Sequence, residues 1–195
     1  QSWSALGSAC PSMIDSYEGV PLLGIVAASG TGKTTLLRAV IPLLTSAGLR
    51  VGCVKHTHHP FEVDQPGKDS YLLRSAGATQ MLLGSAQRWA LMVETADEHD
   101  TGLMQLVERL HLKQLDLVLV EGFSLEDIPK IEVHRHDLSK TLHSTISSNV
   151  IAVATNQNPV PKLSVPVFDI DDHESIAEFI QARVEATVLK PTATD

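Results

Sequence analysis

A glycine-rich segment between an apolar run and a helical pattern most constrains the fold of this chain. The segment is AASGTGKTT at residues 27–35, and it follows the apolar run at 22–27 and precedes apolar residues at helical spacing in 33–47. Such a segment is typical of a phosphate-binding loop (P-loop), in which backbone N–H groups and a helix N-terminus surround phosphate oxygens. Ala27 replaces the usual first glycine, and a small residue is tolerated there if its φ is negative. The predicted phosphate-binding residues are Ser29, Gly30, Thr31, Gly32, Lys33, Thr34 and Thr35.

Such a loop needs an acidic residue on its metal side. Lys33 is expected to reach the β- and γ-phosphates, and the Thr34 hydroxyl to ligate Mg²⁺. Glu121 follows the apolar run 117–120 and is the predicted acidic residue, because ligands bind at the carboxyl ends of strands in open α/β sheets. Asp116 lies ~17 Å away along an extended strand and is predicted to be a solvated residue. We therefore expect Lys33 and Glu121 to be the catalytic residues, if the protein has a catalytic activity. Thr34 and Glu121 are expected to hold the metal. The alternative is that Glu121 is a surface residue at the end of a core strand.

Strand-length apolar runs alternate with helical patterns along most of the chain. This alternation predicts an α/β fold with three layers and a mainly parallel sheet, as in P-loop NTPases. We expect one nucleotide-binding domain at residues 21–186, between a flexible extension at 1–20 and a tail at 187–195. An inserted β-hairpin is predicted at 78–94, where two strand-like runs interrupt the alternation. Its exposed edges need a cover, and a second copy of the chain is one solution.

Three local sequence features predict further details of the structure. Pro42 lies inside the helix predicted at 33–47 and predicts a kink or an early end, because proline lacks an N–H donor. A further helix is predicted at 98–112. His134 and His136 alternate along a predicted strand and so share one face, which we expect to be exposed to solvent.

Composition excludes several classes of partner. Fifteen Lys and Arg residues against 23 Asp and Glu give a net charge of −8, and no basic run is present to neutralise a series of phosphates. Aromatic residues make up only 4%, too few for single-strand stacking platforms. No apolar stretch approaches the ~18 residues of a membrane span, and two cysteines are too few for a disulfide framework. We expect a cytoplasmic protein that binds neither nucleic acid nor membrane.

A histidine-rich loop follows the second predicted strand. It has the sequence KHTHH at residues 55–59, and Asp64 and Asp69 come shortly after it. The loop leaves the same rim of the sheet as the P-loop, so contacts with substrate or phosphate are one interpretation. Metal binding is less favoured because the adjacent His58 and His59 are poorly placed to face one ion together. A plain polar loop is the other alternative.

These blocks together resemble the molybdopterin-guanine dinucleotide biosynthesis protein B family. The blocks stand in the family's order, cover about residues 21–180, and are much more specific at KHTHH and QPGKDS than at the P-loop alone. The segments that carry the resemblance are AASGTGKTTLL, KHTHH, VDQPGKDSYLLRSAGA, QRWALMVET, LDLVLVEGF and PKIEVHR.

The resemblance implies a dimeric GTP- and Mg²⁺-binding protein with weak intrinsic hydrolysis. It further implies that the chain works with the guanylyltransferase MobA and other molybdenum-cofactor proteins when GMP is attached to molybdopterin, with molybdopterin itself as a candidate contact. By position it implies that His56, Asp64 and Asp69 line the nucleotide cleft with Glu121. Guanine preference rests on the resemblance alone, because no Asn-Lys-x-Asp pattern is present and only NQNP at 156–159 follows the strand predicted at 150–155.

Two other functions share part of this pattern. A small-molecule P-loop kinase would use the same loop and acidic strand end, but it needs grouped arginines to clamp the transferred phosphoryl group, and no loop of this chain groups them. A metal-delivery GTPase is suggested by the HTHH segment. We favour the nucleotide-binding accessory protein, in which binding matters more than turnover, because no side chain obviously positions an attacking water.

Overall fold

The computed structural model describes residues 13–57, 61–95, 101–136, 149–158 and 163–189. The chain forms two compact units, one made of Gln1–His56 with Leu103–Asp195 and the other of Thr57–Gly102. The second unit is wider than the insertion predicted at 78–94, because a helix precedes the hairpin. In chain order the elements are β1 (Ser16–Tyr17), β2 (Val20–Val26), α1 (Lys33–Ser46), β3 (Val51–Lys55), α2 (Asp69–Ser75), β4 (Gln80–Gly84), β5 (Trp89–Val93), α3 (Leu103–Val107), a 3₁₀ turn (Leu112–Gln114), β6 (Leu117–Glu121), β7 (Lys130–His134), β8 (Val150–Thr155), β9 (Val167–Asp169) and α4 (His173–Val188).

The sheet of the first unit has β2 at its centre. Its strand order is β3-β6-β2-β7-β8-β9, with β1 also paired to β2. Every pair along this path is parallel, and Gly24 of β2 lies opposite Val120 on one side and Lys130 on the other. A parallel strand covered on both faces is apolar along its whole length, and all positions of β2 are buried. The mainly parallel α/β sheet predicted from the sequence is confirmed.

Helices cover both faces of this sheet. Leu23 packs with Leu36 of α1 and Phe179 of α4 in one core. Its neighbour Leu22 packs with Leu103 of α3 in the other core. Successive residues of a strand point to opposite faces, so β2 contributes to both cores in turn. The result is the predicted three-layer arrangement of helix, sheet and helix.

Helix α1 ends in a defined glycine motif. The helix continues past Pro42, so the predicted early end does not occur. Gly48 has φ +93, a conformation that favours glycine because it has no Cβ. The Gly48 N–H donates to the Thr45 carbonyl at 3.0 Å and the Leu49 N–H donates to the Leu44 carbonyl at 3.1 Å. These are the two hydrogen bonds of a Schellman motif, which returns the chain toward β3.

The helix predicted at 98–112 is shorter in the structure. Among the described residues of this predicted range, Leu103–Val107 is the α-helical part, and the 3₁₀ turn Leu112–Gln114 follows it. Residues 96–100 lie outside the described residues. Leu103 and Val107 are four positions apart and both are buried, so one face of this short helix packs into the core.

Helix α4 closes the fold at its C-terminal end. The Asp172 side chain accepts a hydrogen bond from the Ser175 N–H at 3.1 Å, as an N-cap residue does. The helix continues to Val188 and Thr187 is buried, so residues 187 and 188 belong to α4 and not to the tail predicted at 187–195. None of the helices in the described ranges is long and apolar enough to cross a bilayer.

The segment before β2 belongs to the fold. Strand β1 pairs antiparallel with the start of β2 across a turn at Glu18 and Gly19, whose φ values are +48 and +81. Positive φ at both central residues is typical of a type I′ hairpin turn. Asp15 forms an ion pair with Arg183 of α4 at 2.5 Å. The flexible extension predicted at 1–20 therefore does not include these residues.

The second unit combines α2 with the β4–β5 hairpin. The two strands are antiparallel, with Leu82 opposite Leu91. Arg74 of α2 binds Glu94 at 2.7 Å and Asp64 at 2.8 Å, and it also pairs with Glu62. This cation therefore fastens the helix to the end of the hairpin and to the preceding loop.

Asp116 is partly exposed at the start of β6, as predicted, and in addition it is paired with Arg50. Its carboxylate accepts hydrogen bonds from the Arg50 guanidinium at 2.7 and 2.9 Å and from the Arg50 N–H at 2.8 Å. Arg50 precedes β3 and Asp116 precedes β6, so the pair joins the amino ends of adjacent strands. The hydrogen bonds from Arg50 lower the pKa of Asp116 to about 2.

Replacing Arg50 tests this pair through its pH dependence. Because the folded pKa of Asp116 is lower than its unfolded value, the pair stabilises the fold above pH ~4 and loses that effect as the pH falls to ~2. We expect Arg50→Gln to unfold at lower urea concentration than the wild type near pH ~7, with a difference that shrinks across this acidic window. Urea midpoints measured along a pH series provide the check. A difference independent of pH would contradict the assignment.

Candidate functional site

The P-loop lies at the carboxyl end of β2, in the middle of the sheet. Gly30 and Gly32 have φ +76 and +107, and α1 begins at the next residue. A side chain in such a conformation costs about 1–2 kcal/mol, which explains glycine at both positions. The buried Thr31 hydroxyl donates to the Ala28 carbonyl at 2.8 Å and closes the loop on itself. The first N–H groups of a helix have no acceptor within it, so this end of α1 is suited to an anion.

Lys33 and Thr34 extend from the first turn of α1. The Lys33 ammonium donates to the carbonyls of Ala27 at 3.0 Å and Ala28 at 3.2 Å, so its charge lies over the loop. The Thr34 hydroxyl lies 3.0 and 3.2 Å from the two carboxylate oxygens of Glu121. The structure thus brings together the two residues that the sequence predicted for the metal. Ser29 and Thr35, also predicted from the motif, are exposed on the same loop and helix start.

Glu121 reaches the P-loop from the neighbouring strand. It is the last residue of β6 and lies opposite Ile25 of β2 and Lys55 of β3. The Lys55 ammonium is 3.0 Å from its carboxylate, whose side chain is 14% exposed. Asp116 is at the opposite end of β6 and is bound to Arg50. The carboxylate at the carboxyl end of the strand is therefore the one beside the P-loop.

A strained turn follows Glu121. Gly122 and Phe123 have φ +101 and +52, and positive φ is rare for a residue as bulky as phenylalanine. A Cβ on Gly122 would lie 3.0 Å from the Cβ of His56, so glycine allows this close approach. The His56 ring lies 4.6 Å from the Phe123 ring, and the His56 N–H donates to the Glu121 carbonyl at 2.9 Å. His56 therefore stabilises the backbone at Glu121.

Arg135 reaches the P-loop from the other neighbouring strand. It follows the last residue of β7, and its Nε donates to the Thr31 carbonyl at 3.0 Å. A Cβ on Gly32 would lie 3.7 Å from the same Nε, so the guanidinium packs against the loop. The sequence pattern did not predict this residue. The signal that identifies it is the strand order, because β7 adjoins β2 in the sheet.

The solvent-facing position predicted for His134 is wrong. Lys130, Glu132 and His134 alternate along β7 and are all buried, and burial lowers the pKa of Lys130. His134 Nδ1 is 3.0 Å from the Thr155 hydroxyl. Strand β7 lies between two parallel strands and is covered on both faces, so alternation along it does not mark a solvent face. His136 lies beyond the strand and is exposed.

Two of the predicted cleft residues belong to the second unit. Asp64 is bound to Arg74, whose hydrogen bond lowers the pKa of Asp64. Asp69 is the first residue of α2. The described contacts of Asp64 therefore give it a role within that unit.

The donor set beside the P-loop consists of oxygen atoms. A hydroxyl from Thr34 and a carboxylate from Glu121 are ligands that suit Mg²⁺. Within the residues that the structure describes, no group of three or more His, Cys, Asp or Glu side chains is arranged to hold a metal ion. His58 and His59, which suggested metal delivery, lie outside the described residues.

Comparison with known proteins identifies the family. The profile described as "MobB: Molybdopterin guanine dinucleotide synthesis protein B" matches residues 22–156. The "Molybdopterin-guanine dinucleotide biosynthesis adapter protein" of Escherichia coli (strain K12) is 50% identical over 163 residues, 83% of this chain and 91% of the relative. The protein of the same name from Haemophilus influenzae is 44% identical over 162 residues, 83% of this chain and 88% of the relative.

Solved structures agree in fold with this assignment. A crystal structure of molybdopterin-guanine biosynthesis protein B superposes with a TM-score of 0.67 at 29% identity and covers 84% of this chain and 99% of that chain. Bacillus subtilis MobB superposes with a TM-score of 0.66 at 25% identity and covers 84% and 97%. The P-loop, the acidic strand end and these likenesses together show that the chain belongs to the molybdopterin guanine dinucleotide synthesis protein B (MobB) family.

Proposed function

We propose that this chain is a cytoplasmic GTP-binding adapter in the biosynthesis of molybdopterin guanine dinucleotide. The contact between Thr34 and Glu121 beside the P-loop supports nucleotide binding. It places a hydroxyl and a carboxylate together at the position where a P-loop protein holds the metal of its nucleotide. The adapter role is supported by the names of the relatives from Escherichia coli and Haemophilus influenzae. The low cysteine content is consistent with a reducing compartment.

Each residue of the site has a separate part in holding the nucleotide. The N–H groups of residues 29–35 and the Lys33 ammonium would bind the phosphates. Thr34 and Glu121 would hold Mg²⁺, which when bound neutralises charge on the phosphate oxygens. Lys55 orients the Glu121 carboxylate through their contact at 3.0 Å.

We expect nucleotide binding to matter more than turnover in this protein. The carboxylate of Glu121 contacts the Thr34 hydroxyl and the Lys55 ammonium, so its oxygens serve the metal side rather than an attacking water. We therefore expect the site to bind GTP and to hydrolyse it slowly, because Glu121 is assigned to the metal side and not to an attacking water. The partners that fit the role are the guanylyltransferase MobA and other molybdenum-cofactor proteins, with molybdopterin itself as a further contact.

Lys33→Ala tests the phosphate site. We expect loss of measurable GTP binding without loss of folding, because the ammonium contacts only loop carbonyls among the described residues and its main role is toward phosphate. Calorimetric titration with GTP, ATP and their diphosphates, with and without Mg²⁺, measures both affinity and base preference. Lys113→Ala, which removes an exposed lysine of the 3₁₀ turn, is the matched control and should bind normally. Unchanged affinity in Lys33→Ala would refute the site.

Glu121→Gln tests the metal side separately. The substitution keeps the side-chain length and removes the charge, so we expect the gain in GTP affinity produced by Mg²⁺ to fall about tenfold. Binding without Mg²⁺ should not weaken. Glu178→Gln, at an exposed position of α4, controls for the loss of one negative charge. An equal Mg²⁺ effect in wild type and Glu121→Gln would remove Glu121 from the metal site.

The hairpin of the second unit has an exposed apolar face. Leu82, Trp89, Leu91 and Val93 are large apolar residues that are between 48% and 62% exposed. They alternate along the strands, with Leu82 opposite Leu91, and so share one face. A two-stranded hairpin is marginally stable by itself, and its edges carry unpaired backbone groups. We propose a second copy of this chain as the cover, since an uncharged face of this kind can pair with itself about a twofold axis.

Leu91→Glu tests this surface. A carboxylate at the centre of the apolar face would be buried without a partner in a dimer, so we expect the variant to be monomeric at concentrations where the wild type is dimeric. Sedimentation velocity measures the two species directly. Leu125→Glu, at a leucine that is 98% exposed in the first unit, should leave the dimer intact. A dimeric Leu91→Glu, or a monomeric wild type, would contradict the proposal.

A further inference from the structure

Arg135 is held against the P-loop by a contact that the proposed metal site does not use. Its Nε–H donates to the Thr31 carbonyl at 3.0 Å, and Nη2 would lie 3.8 Å from a Cβ on Gly32. A guanidinium carries five N–H donors in a planar fork, so this bond leaves four donors on the two Nη groups for other acceptors. The fork geometry matches the oxygens of phosphate groups.

The strand order puts Arg135 and the metal-side residues on opposite sides of β2. Glu121 ends β6, which pairs with one edge of β2, whereas Arg135 follows β7, which pairs with the other edge. Neighbouring strands are ~4.8 Å apart, so the backbones of β6 and β7 are ~10 Å apart with the P-loop between them. Arg135 therefore approaches the loop from the side remote from Thr34 and Glu121, the proposed metal ligands.

This separation assigns a direction to the bound nucleotide. Thr34 and Glu121 would hold a Mg²⁺ ion that offsets charge on the terminal phosphates, so the terminal phosphates would lie near these two residues. The nucleoside end would then extend away from β6 and toward the end of β7, the strand that Arg135 follows. Resting on the proposed GTP site, we infer that Arg135 binds the nucleotide on its nucleoside side, at the α-phosphate and the ribose that follows it.

A contact between Arg135 and the nucleoside side of the ligand would produce a distinct pattern of affinities. A contact at the α-phosphate exists in both GTP and GDP and does not involve the metal. Loss of a hydrogen bond to a charged group weakens binding about 10- to 100-fold. We therefore expect Arg135→Gln to lose affinity by the same factor for GTP and GDP, with or without Mg²⁺. Arg135→Lys, which keeps the charge without the fork, should recover part of the loss.

Inorganic pyrophosphate separates this contact from simple support of the loop. Pyrophosphate would occupy the β and γ positions of the proposed site, but it lacks an α-phosphate and a ribose. If Arg135 contacts the nucleoside side, Arg135→Gln binds GTP more weakly than the wild type does. Its affinity for pyrophosphate then stays within about twofold of the wild-type value. A matching loss for pyrophosphate and GTP would show that Arg135 acts only through Thr31, and would overturn the inference.

The experiment is calorimetric titration of the wild type and the two Arg135 variants with GTP, GDP and pyrophosphate. Arg50→Gln is the matched control, because it removes a guanidinium at the amino end of the sheet and should bind all three as the wild type does. If Arg135→Gln loses affinity for GTP but not for GDP or pyrophosphate, Arg135 contacts the γ-phosphate. If it binds all three ligands as the wild type does, Arg135 contacts none of them. Either result would overturn the inference. Absence of nucleotide binding by the wild type would instead refute the proposed function.

Discussion

The burial of β2 between two parallel neighbours is the constraint on which the site depends. Its residues alternate between the two helix-covered cores, so the strand is held on both faces as well as on both edges. The loop that leaves its carboxyl end therefore starts from a rigid position. The ends of β6 and β7 lie on either side of it, and each brings one charged residue, Glu121 or Arg135, into contact with the loop or with the start of α1.

Local charge at this edge differs from the charge of the whole molecule. The chain carries a net charge of −8, which is unfavourable for a general polyanion binder. At the P-loop, Lys33 and Arg135 contact loop carbonyls, while Lys55 neutralises Glu121. Backbone N–H groups add further positive potential. An acidic protein can thus present positive potential locally, because Lys33 and Arg135 lie at the P-loop and Lys55 offsets Glu121.

Much of the fold and the centre of the site follow from sequence-local physics. The P-loop is recognisable because Gly30 and Gly32 meet a backbone requirement within a few residues. The preference for Glu121 over Asp116 followed from its place at the carboxyl end of an apolar run, and the structure brings Glu121 to Thr34. The burial of His134 did not follow, because periodicity along one strand contains no information about whether a second layer covers that face.

The sequence by itself determined the α/β class, the position of the P-loop and the acidic strand end, since each depends on residues that are close along the chain. Only the tertiary structure decided that β7 adjoins β2 and that Arg135 therefore contacts Thr31, a residue 104 positions away. It also decided that Asp15 pairs with Arg183 and so draws the N-terminal segment into the fold. These contacts depend on strand order and helix packing, which minimise exposed apolar surface over the whole chain and have no signature within any short segment.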